Sequence, residues 1–496
     1  MDGSCLDLME ARIPRGEVRT RFAPSPTGYM HVGGLRTALY TYLIAKKMGG
    51  KFILRIEDTD SARFVEGAVD VIIRTLKSVG LDYDEGPDIG GPCAPYTQSE
   101  RKPLYRPYAE LLCRTGAAYY CFCGHIAHEE RGHEMLGVVS AVQDPCRDLP
   151  YSESKQRADS GESHVIRMKT PRSGSTSFHD EIYGDITVEN STLDDMVLLK
   201  SDNLPTYNFA NVIDDHLMGI THVVRGSEYL ASAPKYNLLY KAFGWDIPVY
   251  ITVSPIMRDA HNKFSKRHGD PTYEDLLAEG YLKEAVINYI ALLGWSPGGE
   301  REKFSLAELT EAFDFRDISK SPAIFDAVKL THFNAEYIRA LKPEEFLEAA
   351  RDSIVETVGS GMDIGLIAAL LHQRCEKLTD IGPQISFLKS LPDYRTELFE
   401  NKKSKTDKEI SLQMLRELRA LLSDVSDWSV EGLKNPITGL AEKLNVKNAT
   451  LLWPLRIALS GLAVTPGGAF EICSLLGKHE SLRRIDLAVS RLSSES

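Results

Sequence analysis

The sequence has little cysteine: eight residues among 496, scattered rather than regularly spaced. A disulfide framework needs a denser pattern, so this usage is typical of reduced thiols in an intracellular protein. The sequence also lacks the roughly 18 consecutive apolar residues that a membrane helix requires, and its N-terminal segment lacks the apolar core of a secretory signal. We therefore expect a cytoplasmic protein with no membrane-spanning segment.

Positive charge is also in short supply. Lys and Arg total 58 against 70 Asp and Glu, which gives a formal net charge of −12 at pH 7. The excess of acid lies mainly in residues 1–330, whereas residues 331–496 are nearly neutral. Such a chain does not bind nucleic acid through a general basic coat, although its last third leaves room for a local basic face. The sequence shows no internal repeat.

Length and hydrophobic patterning predict several domains, about three at roughly 150 residues for each. Residues 18–23 alternate like a strand, residues 35–48 have helical spacing and end at a glycine pair, and residues 51–56 form a second apolar run. These segments predict a β-α-β unit, and its strands should be parallel because such crossovers are right-handed.

The rest of the chain divides by pattern. Short apolar runs and polar stretches alternate in residues 101–195, which indicates an inserted subdomain. A long helix is predicted at 273–293, and helical spacing prevails after about residue 330. The helices predicted in that last region include 343–358, 363–377 and 408–422. We expect one α/β domain whose two halves are residues 1–100 and 196–330. The inserted subdomain between them is residues 101–195, and the helical C-terminal region is residues 331–496.

A turn with two prolines joins the first strand to the first helix. It runs from Pro24 to Gly34 and carries His31 at the start of the helix. Unpaired N–H groups and the positive end of a helix dipole attract phosphate, and small residues let its oxygens approach. The histidine favours a phosphate site over a purely structural turn. The segment matches neither the Walker loop nor the dinucleotide fingerprint.

A second cluster is strongly basic. Residues 263–268 hold three fixed cations and a histidine, followed by Gly269. Ammonium and guanidinium groups of this kind would stabilise the charge that develops on a departing polyphosphate. A solvated basic loop is the alternative for such a match taken alone. Its pairing with the first turn favours the functional interpretation.

Charged residues also lie within or just after predicted strands. Glu57 to Asp60 and Arg63 follow the second strand, at the edge of the sheet where ligands of parallel sheets bind. Arg21 lies inside the first strand and Arg225 closes a later one. An arginine in apolar surroundings generally faces a carboxylate, which belongs either to a ligand or to an internal salt bridge.

The insertion contains a candidate metal site. Cys121, Cys123 and Cys146 offer three thiols, and Asp148 would be the fourth ligand. The alternative fourth ligands are His125, His128 and His133. Structural zinc prefers four Cys or His ligands, so reduced thiols without metal remain the alternative interpretation.

Several motifs together resemble one family. Pro24–Gly34 resembles the first signature of class I aminoacyl-tRNA synthetases, and Lys263–Arg267 resembles the second. Arg55–Asp60 and Pro205–Gly219 resemble the glutamyl branch, in its bacterial type. The similarity covers essentially the whole chain, including Leu330–Arg339.

The resemblance implies a fold and a reaction. The fold would be a Rossmann-like catalytic domain with a parallel sheet and an inserted α+β subdomain, followed by an all-α anticodon-binding module. The reaction would use ATP with Mg²⁺ to convert glutamate to glutamyl-adenylate, and then would acylate the terminal ribose of tRNA(Glu). The partners are therefore L-glutamate, ATP and tRNA(Glu), and we expect a monomer.

Carried over by position, the resemblance also assigns site residues. Those that would hold glutamate are Arg21, Ala23, Ser25, Glu57, Arg63, Tyr207, Asn211 and Arg225. Those that would border or contact ATP are His31, Gly33, Glu228 and Lys266. Those that would act in catalysis are His31, Lys263, Lys266 and Arg267. The sequence departs from the family patterns at two positions, because Gly34 stands where the general first signature has a histidine and Asp148 stands where zinc-bearing relatives have one.

Other functions fit less well. A glutaminyl synthetase has an anticodon module built of β-barrels, which the helical spacing after residue 330 contradicts. Relatives that glutamylate a modified tRNA base lack that module, and a small-molecule nucleotidyltransferase would not need it. An inactive tRNA-binding protein would not need the basic cluster. An enzyme that also charges tRNA(Gln) stays an alternative.

Overall fold

The computed structural model describes residues 3–59, 65–123, 144–264 and 269–495. The strands are β1 Arg19–Phe22, β2 Lys51–Leu54, β3 Ala118–Cys121, β4 Val165–Met168, β5 Ser175–Asp180, β6 Gly184–Glu189, β7 Val197–Leu199, β8 His222–Gly226, β9 Val249–Val253, β10 Ile256–Met257 and β11 Ala323–Ile324.

The α-helices of the N-terminal two thirds are α1 Gly3–Glu10, α2 Val32–Lys47, α3 Ala68–Ser78, α4 Lys102–Thr115, α5 Tyr151–Asp159, α6 Tyr207–Leu217, α7 Ala233–Phe243, α8 Tyr273–Ala278, α9 Lys283–Ala291 and α10 Leu306–Ala312. Those that follow are α11 Ala327–Ala340, α12 Pro343–Val358, α13 Ile364–Leu371, α14 Ile381–Lys389, α15 Lys408–Asp424, α16 Val430–Lys443, α17 Asn448–Ser460 and α18 Ala469–Glu495. None of the described helices is both long enough and apolar enough to cross a membrane.

The described residues form two compact units. The first unit comprises residues 1–276 and 286–326, and the second comprises residues 277–285 and 327–496. Strands occur in the first unit, whereas the second is built from helices in its described part. The α/β fold and the all-helical C-terminal region predicted from the sequence are both confirmed; the individual domain boundaries stay predictions.

A six-stranded sheet organises the first unit, in the order β2-β1-β8-β9-β5-β6. The predicted β-α-β unit is confirmed, because β1 and β2 pair in parallel and α2 connects them. The pairs β1 with β8, β8 with β9 and β9 with β5 are also parallel, and only β6 runs against its neighbour. The carboxyl ends of β1, β2, β8 and β9 consequently meet at one edge.

The predicted insertion contributes to two sheets. Strands β3, β4 and β7 form a separate antiparallel sheet, while β5 and β6, which also lie in or next to residues 101–195, join the main sheet. The segment predicted as an insertion, residues 101–195, therefore contains two strands of the central sheet.

The long helix predicted at 273–293 is divided into α8 and α9. Gly280 lies between them with φ at +88°, and a Cβ there would lie 2.6 Å from the backbone nitrogen of Thr379. Glycine is suited to this position, because its backbone is left-handed and because the close approach of Thr379 leaves no room for a side chain.

Candidate active site

The first signature turn lies at the carboxyl end of β1. His31 has extended backbone angles and caps helix α2, because its Nδ1 accepts a hydrogen bond from the backbone N–H of Gly34 at 3.0 Å. A Cβ at Gly33 would lie 3.1 Å from the imidazole, so glycine lets the ring fold back over the first turn. Partial burial lowers the pKa of His31 below its ordinary value. A neutral imidazole that accepts at Nδ1 carries its proton on Nε2, which is then available to a ligand.

The basic loop ends beside this turn. Lys263, at its start, is exposed and pairs with Met257 of β10 through an antiparallel bridge. At its other end Thr272 forms an antiparallel bridge with His31, and the backbone N–H of Tyr273 donates to the carbonyl of Met30 at 3.3 Å. The segment that follows the second signature therefore contacts the first signature turn, more than 200 positions away in sequence. Lys266 and Arg267 lie outside the described residues.

A buried ion network lies beneath the turn. The Nε of Arg21 lies 2.9 Å from Oδ1 of Asp215, and Nη1 of Arg55 lies 2.7 Å from the same oxygen. Arg55 also donates from Nη2 to Oε1 of Glu57 at 2.9 Å. The internal salt bridge considered for Arg21 is therefore present, and its partner is a carboxylate 194 positions away.

The carboxyl groups of this network differ in electrostatics. Burial raises the pKa of Glu57, and the neighbouring Arg55 and Arg21 only partly oppose that effect. Burial would also raise the pKa of Asp215, but the two guanidinium groups outweigh it and hold that pKa below its ordinary value. Asp215 therefore stays ionised and balances two buried cations.

Two aspartates on α6 escaped the sequence analysis as site residues. Asp215 links Arg21 to Arg55, and Asp214 accepts from Nε of Arg101 at 2.6 Å and from the hydroxyl of Tyr105 at 2.9 Å. The sequence did contain a signal for them, since two consecutive aspartates in a largely apolar helix indicate buried charges that need partners. Their partners could not be read from spacing.

Arg225 has surroundings of another kind. It closes β8, is 6% exposed, and its guanidinium carbon lies 4.4 Å from the ring centroid of Tyr250 and 5.1 Å from that of Tyr236. Its buried Nε and Nη2 have no hydrogen-bond partner within the described part of the chain. Buried donors of a charged group are costly to leave unpaired, so this arrangement is suited to an anionic ligand.

The remaining predicted site residues lie around this edge. Asn211 and Tyr207 face each other on α6, with 3.3 Å between the amide nitrogen and the phenolic oxygen. Ala23 is half-buried and Ser25 is exposed, and both lie just beyond β1. Glu228 follows β8, and its carboxylate raises the pKa of His31 in opposition to burial, so Glu228 and His31 lie near each other. Arg63 lies outside the described residues.

The candidate metal site differs from the prediction at one ligand. The donor atoms of Cys121, Cys123, Cys146 and Asp144 all lie within 4.8 Å of one another. Asp148, predicted as the fourth ligand, lies outside this group of donors: its side chain is 86% exposed and lies 3.2 Å from the ammonium of Lys169. The histidine alternatives at 125, 128 and 133 lie outside the described residues.

Two family models match the chain. Residues 17–332 match the catalytic domain of tRNA synthetases class I (E and Q), and residues 308–489 match an anticodon binding domain. The first match alone covers more than half of the chain and includes both signatures.

Curated relatives and a solved structure agree with the family models. A glutamate–tRNA ligase from Clostridium botulinum is 56% identical over 482 residues, which is 96% of this chain and 99% of the relative. A glutamate–tRNA ligase from Clostridium kluyveri is 54% identical over 97% of this chain and 99% of the relative. A crystal structure of a glutamate tRNA ligase from Elizabethkingia meningosepticum, in complex with its amino acid, matches with a TM-score of 0.86 and 36% identity and covers 96% of this chain and all of that one. Because the catalytic-domain model covers residues 17–332 and the similarity to these ligases extends over nearly the full length, this chain belongs to the class I tRNA synthetases (E and Q).

Proposed function

We propose that this enzyme ligates L-glutamate to the 3′-terminal ribose of tRNA(Glu). In the first step the α-carboxylate of glutamate attacks the α-phosphate of ATP, which yields glutamyl-adenylate and releases pyrophosphate. In the second step a ribose hydroxyl of tRNA attacks the activated carbonyl, which yields glutamyl-tRNA and releases AMP. The product is glutamyl-tRNA for protein synthesis, and the curated relatives are named glutamate–tRNA ligases.

The observation that carries the choice of amino acid is the state of Arg225. Two of its buried nitrogens lack a partner among the described residues, while the neighbouring Arg21 and Arg55 share Asp215. A substrate with a side-chain carboxylate supplies the missing acceptors, and a neutral side chain does not supply the charge.

We assign the other predicted residues to the two substrates. Those around glutamate are Arg21, Ala23, Ser25, Glu57, Arg63, Tyr207, Asn211 and Arg225. Those around the nucleotide are His31, Gly33, Glu228 and Lys266. His31, through Nε2, and the basic loop, through Lys263, Lys266 and Arg267, would stabilise phosphate charge that Mg²⁺ shares.

The first step of this reaction needs no general base. The attacking carboxylate is already ionised at neutral pH, so the first step depends on alignment and on charge stabilisation. The neutral imidazole of His31, whose pKa is lowered, suits a donor rather than a base. A reaction that depends on charge stabilisation rather than on proton transfer agrees with a site built from fixed cations and backbone groups.

The proposal extends to partners and location. The helical second unit, whose family model is an anticodon binding domain, would contact tRNA(Glu). We propose a cytoplasmic location, because the few cysteines are scattered and those described are free and largely buried. We also propose that the enzyme is a monomer. Whether tRNA(Gln) is also charged depends on contacts with the anticodon, and a charging assay with both purified tRNAs decides it.

Exchange of pyrophosphate into ATP tests the function. We expect glutamate-dependent exchange in the presence of tRNA, and an assay without tRNA establishes whether tRNA must bind first. Replacing Arg225 with alanine should raise the KM for glutamate by about 30-fold or more, since removal of one partner of a buried charge pair costs about 2 to 5 kcal/mol. The KM for ATP should change little. Absence of exchange under both conditions would eliminate the enzyme, and equal effects on both KM values would contradict the role of Arg225.

We also propose that the thiol cluster holds zinc. Three cysteines and Asp144 supply four donors at spacings that a tetrahedral ion can bridge. Zinc content of the purified protein should be near one equivalent, Asp144→Ala should lose most of it, and Asp148→Ala should retain it. Metal-free wild-type protein, or equal loss in the two variants, would contradict this ligand set.

A further inference from the structure

Arg225 is enclosed by aromatic rings rather than by carboxylates. Its guanidinium carbon lies 4.4 Å from the centroid of Tyr250 and 5.1 Å from that of Tyr236, distances at which a cation is attracted to the face of an aromatic ring. Tyr250 is 2% exposed and Tyr236 also 2%, so both interactions are shielded from water. We name these two tyrosines the Arg225 cage.

The other buried arginines of this sheet edge are held differently. Arg21 and Arg55 both contact Asp215, and Arg101 contacts Asp214 at 2.6 Å. A carboxylate fixes a guanidinium but also neutralises it and occupies its donors. The face of an aromatic ring attracts the cation but does not accept hydrogen bonds from the N–H groups at the edge of the guanidinium. Those donors therefore stay available to a ligand.

Hydrogen bonds fix both rings of the cage. The hydroxyl of Tyr250 donates to Oδ1 of Asn237 at 2.8 Å, and the hydroxyl of Tyr236 donates to Oδ1 of Asn208 at 2.7 Å. Asn237 is fully buried on α7, next to Tyr236, and Asn208 lies on α6. The rings are therefore anchored at their far ends by two helices that pack against each other, which limits how far Arg225 can turn.

We propose that Tyr236 and Tyr250 are positioning residues, which hold Arg225 with its charge unneutralised and its free N–H donors directed at the side-chain carboxylate of the substrate. This inference rests on the proposed function, since it assumes that glutamate is the anion that Arg225 meets. It assigns to the cage a part of the preference for glutamate over glutamine. Glutamine brings no charge, so it gains less from an oriented cation.

The test is a double-mutant cycle on the full chain, with steady-state pyrophosphate exchange in the presence of tRNA. Tyr250→Leu should raise the KM for glutamate by about 3- to 30-fold, the range expected for a desolvated cation–π contact. The kcat and the KM for ATP should change less than about twofold by the same reasoning. The ratio of kcat/KM for glutamate over glutamine should fall. Tyr250→Phe, which keeps the ring, should restore most of the wild-type KM.

Coupling to Arg225 separates positioning from mere packing. In the Arg225→Ala background, Tyr250→Leu should have almost no further effect on the KM for glutamate. Tyr120→Leu is the matched control, because Tyr120 is equally buried in the first unit but lies in the sheet of the insertion. It should affect thermal stability without changing the KM for glutamate. If Tyr250→Leu does not fold, Tyr236→Leu is subject to the same expectation.

Each outcome has a definite meaning. A large effect of Arg225→Ala with no effect of Tyr250→Leu, or with fully additive effects, would overturn the cage while leaving the proposed function intact. No effect of Arg225→Ala on the KM for glutamate would overturn the proposed role of Arg225, and the cage with it. Equal losses in kcat and in both KM values would assign the tyrosines to the core alone.

Discussion

The two units of this synthetase bury different kinds of side chain. The charged residues buried in the described part of the first unit are Arg19, Arg21, Arg36, Arg55, Glu57, Glu85, Arg101, Asp180, Asp214, Asp215 and Arg225. In the described part of the second unit, Arg484 is the one buried charged residue. Leucine, isoleucine, alanine and phenylalanine form most of the remaining core of that unit.

The difference has a physical cause. Burial of an ion costs several kcal/mol unless a partner offsets it, so a domain that only needs to be stable is better served by an apolar core. Arg484 conforms to this rule, because its Nη1 donates to the carbonyls of Phe387 and Leu459 and its Nε contacts Glu480. In the first unit, carboxylates offset the burial of Arg21 and Arg55, whereas Arg225 lacks such a partner among the described residues. An uncompensated buried cation is costly to stability, so it is more readily explained by ligand binding.

The largest expected effect comes from breaking the ion network of the first unit. Asp215→Ala leaves Arg21 and Arg55 without their shared carboxylate, and loss of one partner of a buried pair costs about 3 to 5 kcal/mol. Urea unfolding followed by circular dichroism measures this loss. Asp148→Ala, at an exposed ion pair of the same unit, is the control and should leave the unfolding curve unchanged. An equal, small effect of both variants would contradict the comparison.

The corresponding test in the second unit is a substitution in its apolar core. Leu418→Ala removes a fully buried side chain of α15 and should cost about 2 to 5 kcal/mol in free energy of unfolding, because a cavity remains. Trp428 and Trp453 lie in this unit and Trp245 and Trp295 in the first, so unfolding is followed by fluorescence and the variant is compared with the wild type under the same conditions. Leu487→Ala, at a side chain that is 41% exposed, should cost less than about 1 kcal/mol. Similar costs at the two leucines would show that this core is less well packed than its burial indicates.

The next prediction concerns the proposed catalytic role of Lys266 in the first unit. We assign it to the transferring phosphates, so Lys266→Ala should slow adenylate formation by about 2 to 4 kcal/mol, the usual result of deleting one transition-state donor. Rapid-quench measurement of adenylate formation tests this directly. Lys51→Ala is the control, because Lys51 begins β2 at the opposite end of the strand from the site. An unchanged rate in Lys266→Ala would refute the role.

The smallest expected effect concerns the single carboxylate beside Arg484. Hydrogen bonds from Arg483 and Arg484 lower the pKa of Glu480 to about 2 from its ordinary 4.5. Its stabilisation is therefore complete above pH 4.5 and is lost as the pH falls towards 2. Since the side chain is 31% exposed, we expect solvent to limit it to about 1 kcal/mol. Acid titration of unfolding free energy should be flatter in Glu480→Gln than in the wild type; identical slopes would exclude the contribution.

Local signals predicted the local structure well. Alternation and helical spacing placed β1, α2 and β2 within a few residues of their observed bounds, and α12 was predicted at the residues where it lies. These elements depend on neighbours within a few positions, so a single sequence contains the information. The helical segment predicted at 273–293 consists of two helices, α8 and α9, and the break between them at Gly280, with φ at +88°, was not predicted.

The same difference between local signals and long-range contacts applies to the candidate site. Motifs in the sequence singled out the turn and the loop, and its place at the end of a predicted strand singled out Arg225. Spacing did not distinguish Asp144 from Asp148 beside Cys146, and the structure places Asp144 rather than Asp148 among the thiols. Asp214 and Asp215 were missed as site residues, since nothing in their immediate neighbours names a partner.

The order of the motifs, the β-α-β unit and the helical character of the last third were determined by the sequence alone, because each depends on short-range periodicity and on residue type. The tertiary structure alone decided which arginines receive a carboxylate. Arg21 meets Asp215 across 194 positions, whereas Arg225 meets two aromatic rings. Ion pairing depends on distance and burial in the folded chain, and neither quantity exists before the strands and helices have assembled.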